Sequence, residues 1–432
     1  MIIYTVEQGD SLYSIAGRLG TDAELIARDN GIENSDKLVV GQALAVRIPD
    51  VVHTVSEGEN LYSLAQTYGR TVNELWRRNP HLCGRIGLEA GDRIVISDGK
   101  DEGEEPISVN AFVYPSVNRE LLTKTLPYLT YLTIFSYGIE EDAELIEIDD
   151  EEIIETARRY GVAPIMLVSN IDADGNFSPD TVNALLADKT LEDRLIGNIL
   201  SAVSKKRYGG AAIDFEYVSA ENAEALSSLV SRLNEKLGSG GYPLFVLVAP
   251  KREDGEEGLL CEGHDYSVLG NSSDGLMIET YTMRSSYDSP SALLPVREAE
   301  RILEYAADKV KPRKLFLGMA NYGYDWILPY SAGESRAVCV GNADAVKLAG
   351  ERGADIKYDE EAQSPYFEYY SDDEGVSRKH AVYFQDARCV RASLDTVKKQ
   401  GVGGIAVWNA MKYSPQLWLT LDGTCRIKRI FD

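Results

Sequence analysis

Tyr208-Gly209-Gly210-Ala211-Ala212-Ile213-Asp214-Phe215-Glu216-Tyr217 is the stretch on which the reading of the chain turns. It opens on a glycine pair, runs through small and apolar residues, and closes with two carboxylates two positions apart. Strand side chains alternate between faces, so Asp214 and Glu216 share one face and Phe215 takes the other. Burying an acid is costly unless it is paired or neutralised. Neighbouring carboxyls raise one another's pKa, and a carboxyl so raised keeps its proton near neutral pH. That is the requirement for a general acid acting on a departing sugar oxygen. The plainer alternative is that acids at a strand end cap the following helix. The stretch alone supports both.

Apolar runs before and after it repeat the pattern. Strands are expected at Ser108–Val113, Tyr131–Phe135, Pro164–Val168, Gly210–Phe215, Pro243–Val248, Gly275–Tyr281, Lys314–Met319 and Val402–Val407. Helical patterns fall between them, at Asp150–Tyr160, Leu191–Lys206, Ala220–Leu237, Pro290–Lys309 and Ser393–Gln400. Continuously apolar strands alternating with helices indicate a parallel sheet covered on both faces. Eight such units predict an α/β fold, a (β/α)₈ TIM barrel, over 107–432. Catalytic groups then belong at the C-terminal ends of the strands, where Asp214 and Glu216 stand. The span 327–385 is too long for a loop. It reads as a small α+β insertion forming one wall of the cleft, with a helix over Asn342–Arg352, a Tyr-rich segment at Tyr366–Tyr370 and a strand at Ala381–Phe384.

The first hundred residues are a tandem repeat. Tyr4-Thr5-Val6-Glu7-Gln8-Gly9-Asp10-Ser11-Leu12-Tyr13-Ser14-Ile15-Ala16 returns as His53-Thr54-Val55-Ser56-Glu57-Gly58-Glu59-Asn60-Leu61-Tyr62-Ser63-Leu64-Ala65. Each copy predicts a βααβ unit: a strand, a glycine turn, two helices and a closing strand. Expected boundaries are 1–49 and 50–97, followed by a Gly- and acid-rich linker over 98–106. Both copies resemble LysM domains. The resemblance implies binding of N-acetylglucosamine-containing glycans, with Gly9, Asp10, Ser11, Gly58, Glu59 and Asn60 at the groove edge. A module that merely packs or dimerises is the alternative. Two weak sites on one chain would raise avidity for a repetitive polymer.

The barrel resembles glycoside hydrolase family 18. Residues 209–216 match the family's Asp-x-x-Asp-x-Asp-x-Glu box at its last two acids. Met277-Ile278-Glu279-Thr280-Tyr281, Leu317-Gly318-Met319-Ala320-Asn321-Tyr322-Gly323-Tyr324-Asp325-Trp326 and Gly403-Gly404-Ile405-Ala406-Val407-Trp408 resemble its sixth-, seventh- and eighth-strand segments. With tandem LysM units in front, the whole chain looks like the cortical fragment-lytic N-acetylglucosaminidases of endospore-forming bacteria. The resemblance implies retaining, substrate-assisted hydrolysis of β-1,4 bonds after N-acetylglucosamine in spore-cortex peptidoglycan. Glu216 is then the acid, Asp214 the group that orients the substrate's acetamide and stabilises the cation, and Tyr281 a donor to the acetamide oxygen. Trp408 forms the sugar platform. Glu279, Tyr137, Asn321, Tyr322 and Asp325 are further candidates for substrate contact, with the alternatives that Tyr137, after the second strand, just packs and that Asp325-Trp326 only pins the insertion to the barrel.

The family's first two box acids are Gly209 and Ala212 here, and Thr282 stands where an Asp follows the family's Tyr. Glu279, read as sharing a strand face with Tyr281, could replace a lost acid, contact sugar or bond within the barrel. A chitin or chitooligosaccharide hydrolase, or a non-catalytic glycan-binding coat protein, are the alternatives.

The net charge of −25, from 69 acids and 44 bases, argues against nucleic acid and anionic membranes as partners. The five cysteines lack metal-ligand spacing and predict free, mostly buried thiols. No metal or other cofactor is expected. No apolar run approaches membrane-spanning length, and the start lacks the basic and apolar regions of a signal peptide. The expectation is a monomer made in the cytoplasm that reaches the spore or cell envelope by another route.

Overall fold

Eight parallel strands close on themselves in the computed structural model, which describes residues 1–33, 38–98, 105–256, 258, 260–373 and 375–430. The predicted linker falls mostly outside these residues. The strands are Ser108–Val113, Tyr131–Ile139, Ala163–Ser169, Gly210–Asp214, Leu244–Val248, Gly275–Ile278, Leu315–Ala320 and Gly404–Trp408. Each pairs in parallel with the next, and the eighth pairs with the first, so the barrel has no free edge.

Strand alternation divides the apolar residues into two sets. Phe112, Ile165, Leu167, Ala212, Phe245, Leu247, Met277, Phe316 and Ala406 fill the barrel interior. Their neighbours, such as Val113, Val168, Ile213, Val246, Ile278 and Val407, pack outward under the helices. One step beyond the interior set, the same alternation brings Tyr114, Ser169, Asp214, Glu279 and Trp408 to the C-terminal mouth.

Several expected boundaries move: the second strand runs on to Ile139, the fourth ends at Asp214 and leaves Glu216 beyond it, and the helix expected from Pro290 begins at Val296. The sixth strand stops at Ile278, and Thr280–Met283 forms a 3₁₀ turn, so Glu279 and Tyr281 do not share a strand face. The helix before the eighth strand begins at Ala387 rather than Ser393, capped by Asp386, whose carboxylate accepts from the Arg388 and Cys389 amides, and a further helix, Pro415–Thr424, follows that strand. The insertion after the seventh strand is a five-stranded antiparallel sheet with the helix Asn342–Arg352 against it. Its central hairpin pairs Ser364–Asp373 with Val376–Tyr383.

The N-terminal repeats form two modules, each a two-stranded antiparallel sheet with two helices. Both are docked on the barrel. In the first, the buried Arg47–Asp29 pair (Nη2 to Oδ1 2.6 Å) backs the packing of Ala45 against Ala387 and Leu419. Gln416 donates to Asn30 Oδ1 and Ala43 O. Gly41, at φ +82°, presses its backbone onto the insertion at Ile356 so closely that a Cβ would overlap the Ile356 carbonyl. In the second, Arg77 binds Asp422 (2.7 Å) and Pro127 O (3.1 Å), and Trp76 packs on Tyr160. Asp22 and Arg93 join the two modules at 3.1 Å. All five cysteines are free thiols, and three of them are buried.

Candidate active site

The carboxyls of Asp214, Glu216 and Glu279 converge at the barrel mouth, with one oxygen of each within 4.8 Å of the others. Asp214 and Glu279 are buried, while Glu216 keeps partial exposure. Among the described residues no Lys or Arg forms an ion pair with any of them. Burial is therefore the main force on all three. It pushes Glu216 up to about 8, with Asp214 adding repulsion. It raises Asp214 well into the neutral range, against a hydrogen bond from Ser169. Glu279 is raised well above the usual carboxylate range, by burial first and then by the charges of Asp214 and Glu216. Like charges this close cannot all ionise, so the cluster holds protons at neutral pH. The three oxygens could also converge on a hard cation; protons neutralise the cluster equally well.

Local structure places each group. Ser169 Oγ donates to Asp214 Oδ2 at 3.2 Å and accepts from Ser136 Oγ at 2.7 Å. Beyond the fourth strand the chain turns sharply through Tyr217 at φ +60°. Asn170 clamps this turn. Its Oδ1 accepts from Glu216 N at 2.8 Å, and its Nδ2 donates to Glu216 O and Ser178 O, both at 3.0 Å. His264 supports the far side, with Nδ1 accepting from Ala249 N (3.1 Å) and Nε2 facing Phe215 O (3.2 Å). Burial pulls His264 down to about 4, so the ring is a neutral brace and not an acid or base. Ser136, Ser169, Asn170 and His264 were not singled out from sequence. The pair Ser169-Asn170 at the C-terminal end of the third strand was the available signal.

An aromatic wall stands against the carboxyls. Trp408 stacks on Tyr281, with Phe112, Tyr114 and Phe135 around its edges. Tyr281 Oη bonds Glu279 Oε1 at 2.9 Å. Tyr322 donates to Tyr281 O at 3.3 Å and continues the wall toward Tyr324 in the insertion.

Three candidates lie elsewhere. Tyr137 does not reach the mouth. It is fully buried, its hydroxyl bonds Asp150, and Lys206 Nζ donates to it at 2.7 Å. The second strand shifts register between Ile134 and Tyr137, which turns the side chain outward under the helices. Asn321 is buried and structural: its Nδ2 donates to Asn409 O and Lys412 O at 3.0 Å, tying down the loop after Trp408. Asp325 sits on the sheet face packed against the insertion's helix, accepting from Tyr369 Oη (2.7 Å) and bonding His380 Nδ1 (2.9 Å).

In the N-terminal modules Gly9 and Gly58 both take φ +86° in the turn before the first helix. Ser11 and Asn60 are N-caps with reciprocal capping boxes. Asp10 accepts from Glu7 N and Tyr4 Oη, and Glu59 accepts from Ser56 N and bonds His53. Asp10 and Glu59 thus hold the turns. The exposed side chains beside them are Tyr13 and Tyr62, one helical position past each cap's first residue.

A cleft of about 1260 Å³, lined by Arg77, Arg78, Arg158, Arg159 and Arg391 among others, lies between the second module and the barrel, and none of the three carboxyls lines it.

Residues 125–412 match the model of glycosyl hydrolases family 18, and residues 4–47 and 53–97 each match that of the LysM domain. A cortical fragment-lytic enzyme of Bacillus anthracis is 34% identical over 426 residues, 97% of each chain. A putative sporulation-specific glycosylase, YdhD of Bacillus subtilis (strain 168), is 32% identical, with 97% of this chain and 98% of that one covered. The crystal structure of the Bacillus cereus spore cortex-lytic enzyme SleL superposes with a TM-score of 0.82 at 32% identity, covering 99% of this chain and 98% of that one.

Proposed function

The chain belongs to the glycosyl hydrolases of family 18, and on that premise we propose that it hydrolyses spore-cortex peptidoglycan at β-1,4 bonds after N-acetylglucosamine. Residues 1–49 and 50–97 are the glycan anchors, 98–106 the linker and 107–432 the catalytic unit. The observation that carries the reading is Glu216: a carboxyl at the barrel mouth, partly open to solvent, that burial and Asp214 hold protonated up to about 8.

Glu216 gives its proton to the departing glycosidic oxygen. The substrate's acetamide oxygen attacks the anomeric carbon, with retention. Asp214, braced by Ser169, faces the acetamide N–H and the positive charge that develops as the ring forms. The Tyr281 hydroxyl donates to the acetamide oxygen, and Trp408 is the apolar floor under the sugar. Glu216, now ionised, takes a proton from the water that opens the ring.

Wild-type protein should shorten muramidase-cut cortex fragments, releasing new N-acetylglucosamine reducing ends by mass spectrometry, and Glu216→Gln should not. Equal product from both would overturn the reading. Ala212 in place of a family acid favours one second reading, a glycan-binding protein that has lost catalysis. That protein would retain cortex in a pull-down yet release nothing. Faster cleavage of chitooligosaccharide than of cortex fragments would redirect the substrate to chitin.

A further inference from the structure

The Tyr281–Glu279 bond raises a difficulty for the proposed chemistry. A phenol has one proton to give. If Glu279 is ionised, that proton is committed to Oε1 across 2.9 Å and cannot serve a substrate. If Glu279 is protonated, the same separation accommodates the opposite bond. The carboxylic acid donates to Tyr281 Oη, and the phenol proton points into the site.

The surroundings select the second arrangement. Asp214 and Glu216 face Glu279 across the barrel mouth. Tyr322 bonds the Tyr281 carbonyl and not the carboxyl. Phe112 and Trp408 close the remaining sides of Tyr281 with apolar surface. The basic groups on the neighbouring fifth-strand loop are engaged elsewhere: Lys251 Nζ donates to His264 O at 2.7 Å, and the His264 ring bridges Ala249 and Phe215. Of the two buried carboxyls, Asp214 accepts from Ser169 Oγ, which favours its anion. Glu279 has no cation against it among the described residues and faces both other acids, so Glu279 is the member of the set that keeps its proton.

We propose that Glu279 is a positioning residue that stays protonated and donates to Tyr281 Oη, so that the tyrosine's own proton is directed at the substrate's acetamide oxygen. No bond to Glu279 is made or broken in the cycle, and its proton is not transferred. The proposal rests on the glycosidase reading above. It accounts for a carboxylate where the chain otherwise departs from its family.

The test is a kinetic cycle on muramidase-cut cortex fragments with wild type, Glu279→Ala, Glu279→Gln, Tyr281→Phe and Glu279→Ala/Tyr281→Phe, and Glu216→Gln as the inactive reference. Glu279→Ala should lose about tenfold or more in kcat with a smaller change in KM. Glu279→Gln, whose amide can also donate to Oη, should recover most of that loss. The double variant should be no slower than Tyr281→Phe, because Glu279 acts through the phenol. Losses that multiply, or a Glu279→Gln as dead as Glu216→Gln, would overturn the proposal; the latter would mean that the carboxyl works as an anion. Thermal melts separate misfolding from loss of function, and if the alanine variant does not fold, the glutamine variant alone decides. Equal activity in wild type and Glu216→Gln would remove the hydrolytic reading and this proposal with it.

Discussion

Trp408 lies parallel to Tyr281, with ring centroids 5.3 Å apart and an interplanar angle of 15°. One comes from the end of the eighth strand and the other from the turn after the sixth, so the stack bridges the seventh strand and joins the proposed sugar platform to the Tyr281 hydroxyl. Removing the indole should therefore damage the position of the phenol as well as the floor. Trp408→Ala is expected to lower kcat/KM about 10²-fold, with Trp408→Phe intermediate, in steady-state kinetics on soluble fragments. A loss confined to KM would mean that the ring only binds.

The proposed acid role of Glu216 ties activity to pH. If the protonated form is the active one, kcat/KM should hold through neutrality and fall as pH rises through about 8. A flat profile to higher pH would show that another group is the acid.

The same shift sets a stability trend. Folded Glu216 holds its proton up to about 8, whereas its ordinary value is 4.5. Between those values the folded chain binds more protons than the unfolded one, so stability falls as pH rises, and the cost is fully present above about 8. Glu216→Gln should accordingly be more stable than wild type at pH about 8.5, by on the order of 1–3 kcal/mol, and show little gain at pH about 4.5. Melting curves at the two pH values check this.

Tyr137 should behave as a core residue. Tyr137→Phe removes a hydroxyl shared by Asp150 and Lys206, at a cost of about 1–2 kcal/mol in denaturant unfolding. Turnover of the folded variant should match wild type.

Gly41 should report on the docking of the first module. Alanine there must adopt φ +82° and push the Ile356 carbonyl away, at a cost of about 2–4 kcal/mol. Gly41→Ala is expected to melt earlier and to expose residues 1–49 to limited proteolysis, while cleavage of short soluble fragments is retained.

What could be read in the chain were features generated by neighbours in sequence. Continuously apolar runs separated by helical patterns located all eight strands, and the repeat at Tyr4–Ala16 and His53–Ala65 set out two βααβ modules. Period-two spacing also put Asp214 and Glu216 together at a strand's C-terminal end, because side-chain direction along a strand is a local property. Tyr137 could line the cleft or pack as far as the residues show, and the register shift after Ile134, which nothing in Tyr131–Ile139 announces, decides for packing. Asn321 was misplaced, and Asp325 proves to bond within the insertion, because a polar side chain beside a strand end looks the same whether it faces substrate or bonds within the fold.

Tertiary structure alone decided the rest. Only closure of the barrel sets Glu279 against Asp214 and Glu216, since strands four and six meet through their shared interior and not through sequence. Only docking seats Gly41 on Ile356 and Arg77 on Asp422, making the anchors part of one body with the barrel. The sequence names the carboxyls, but their proton sharing depends on distances and burial that arise when distant segments exclude water from a common site.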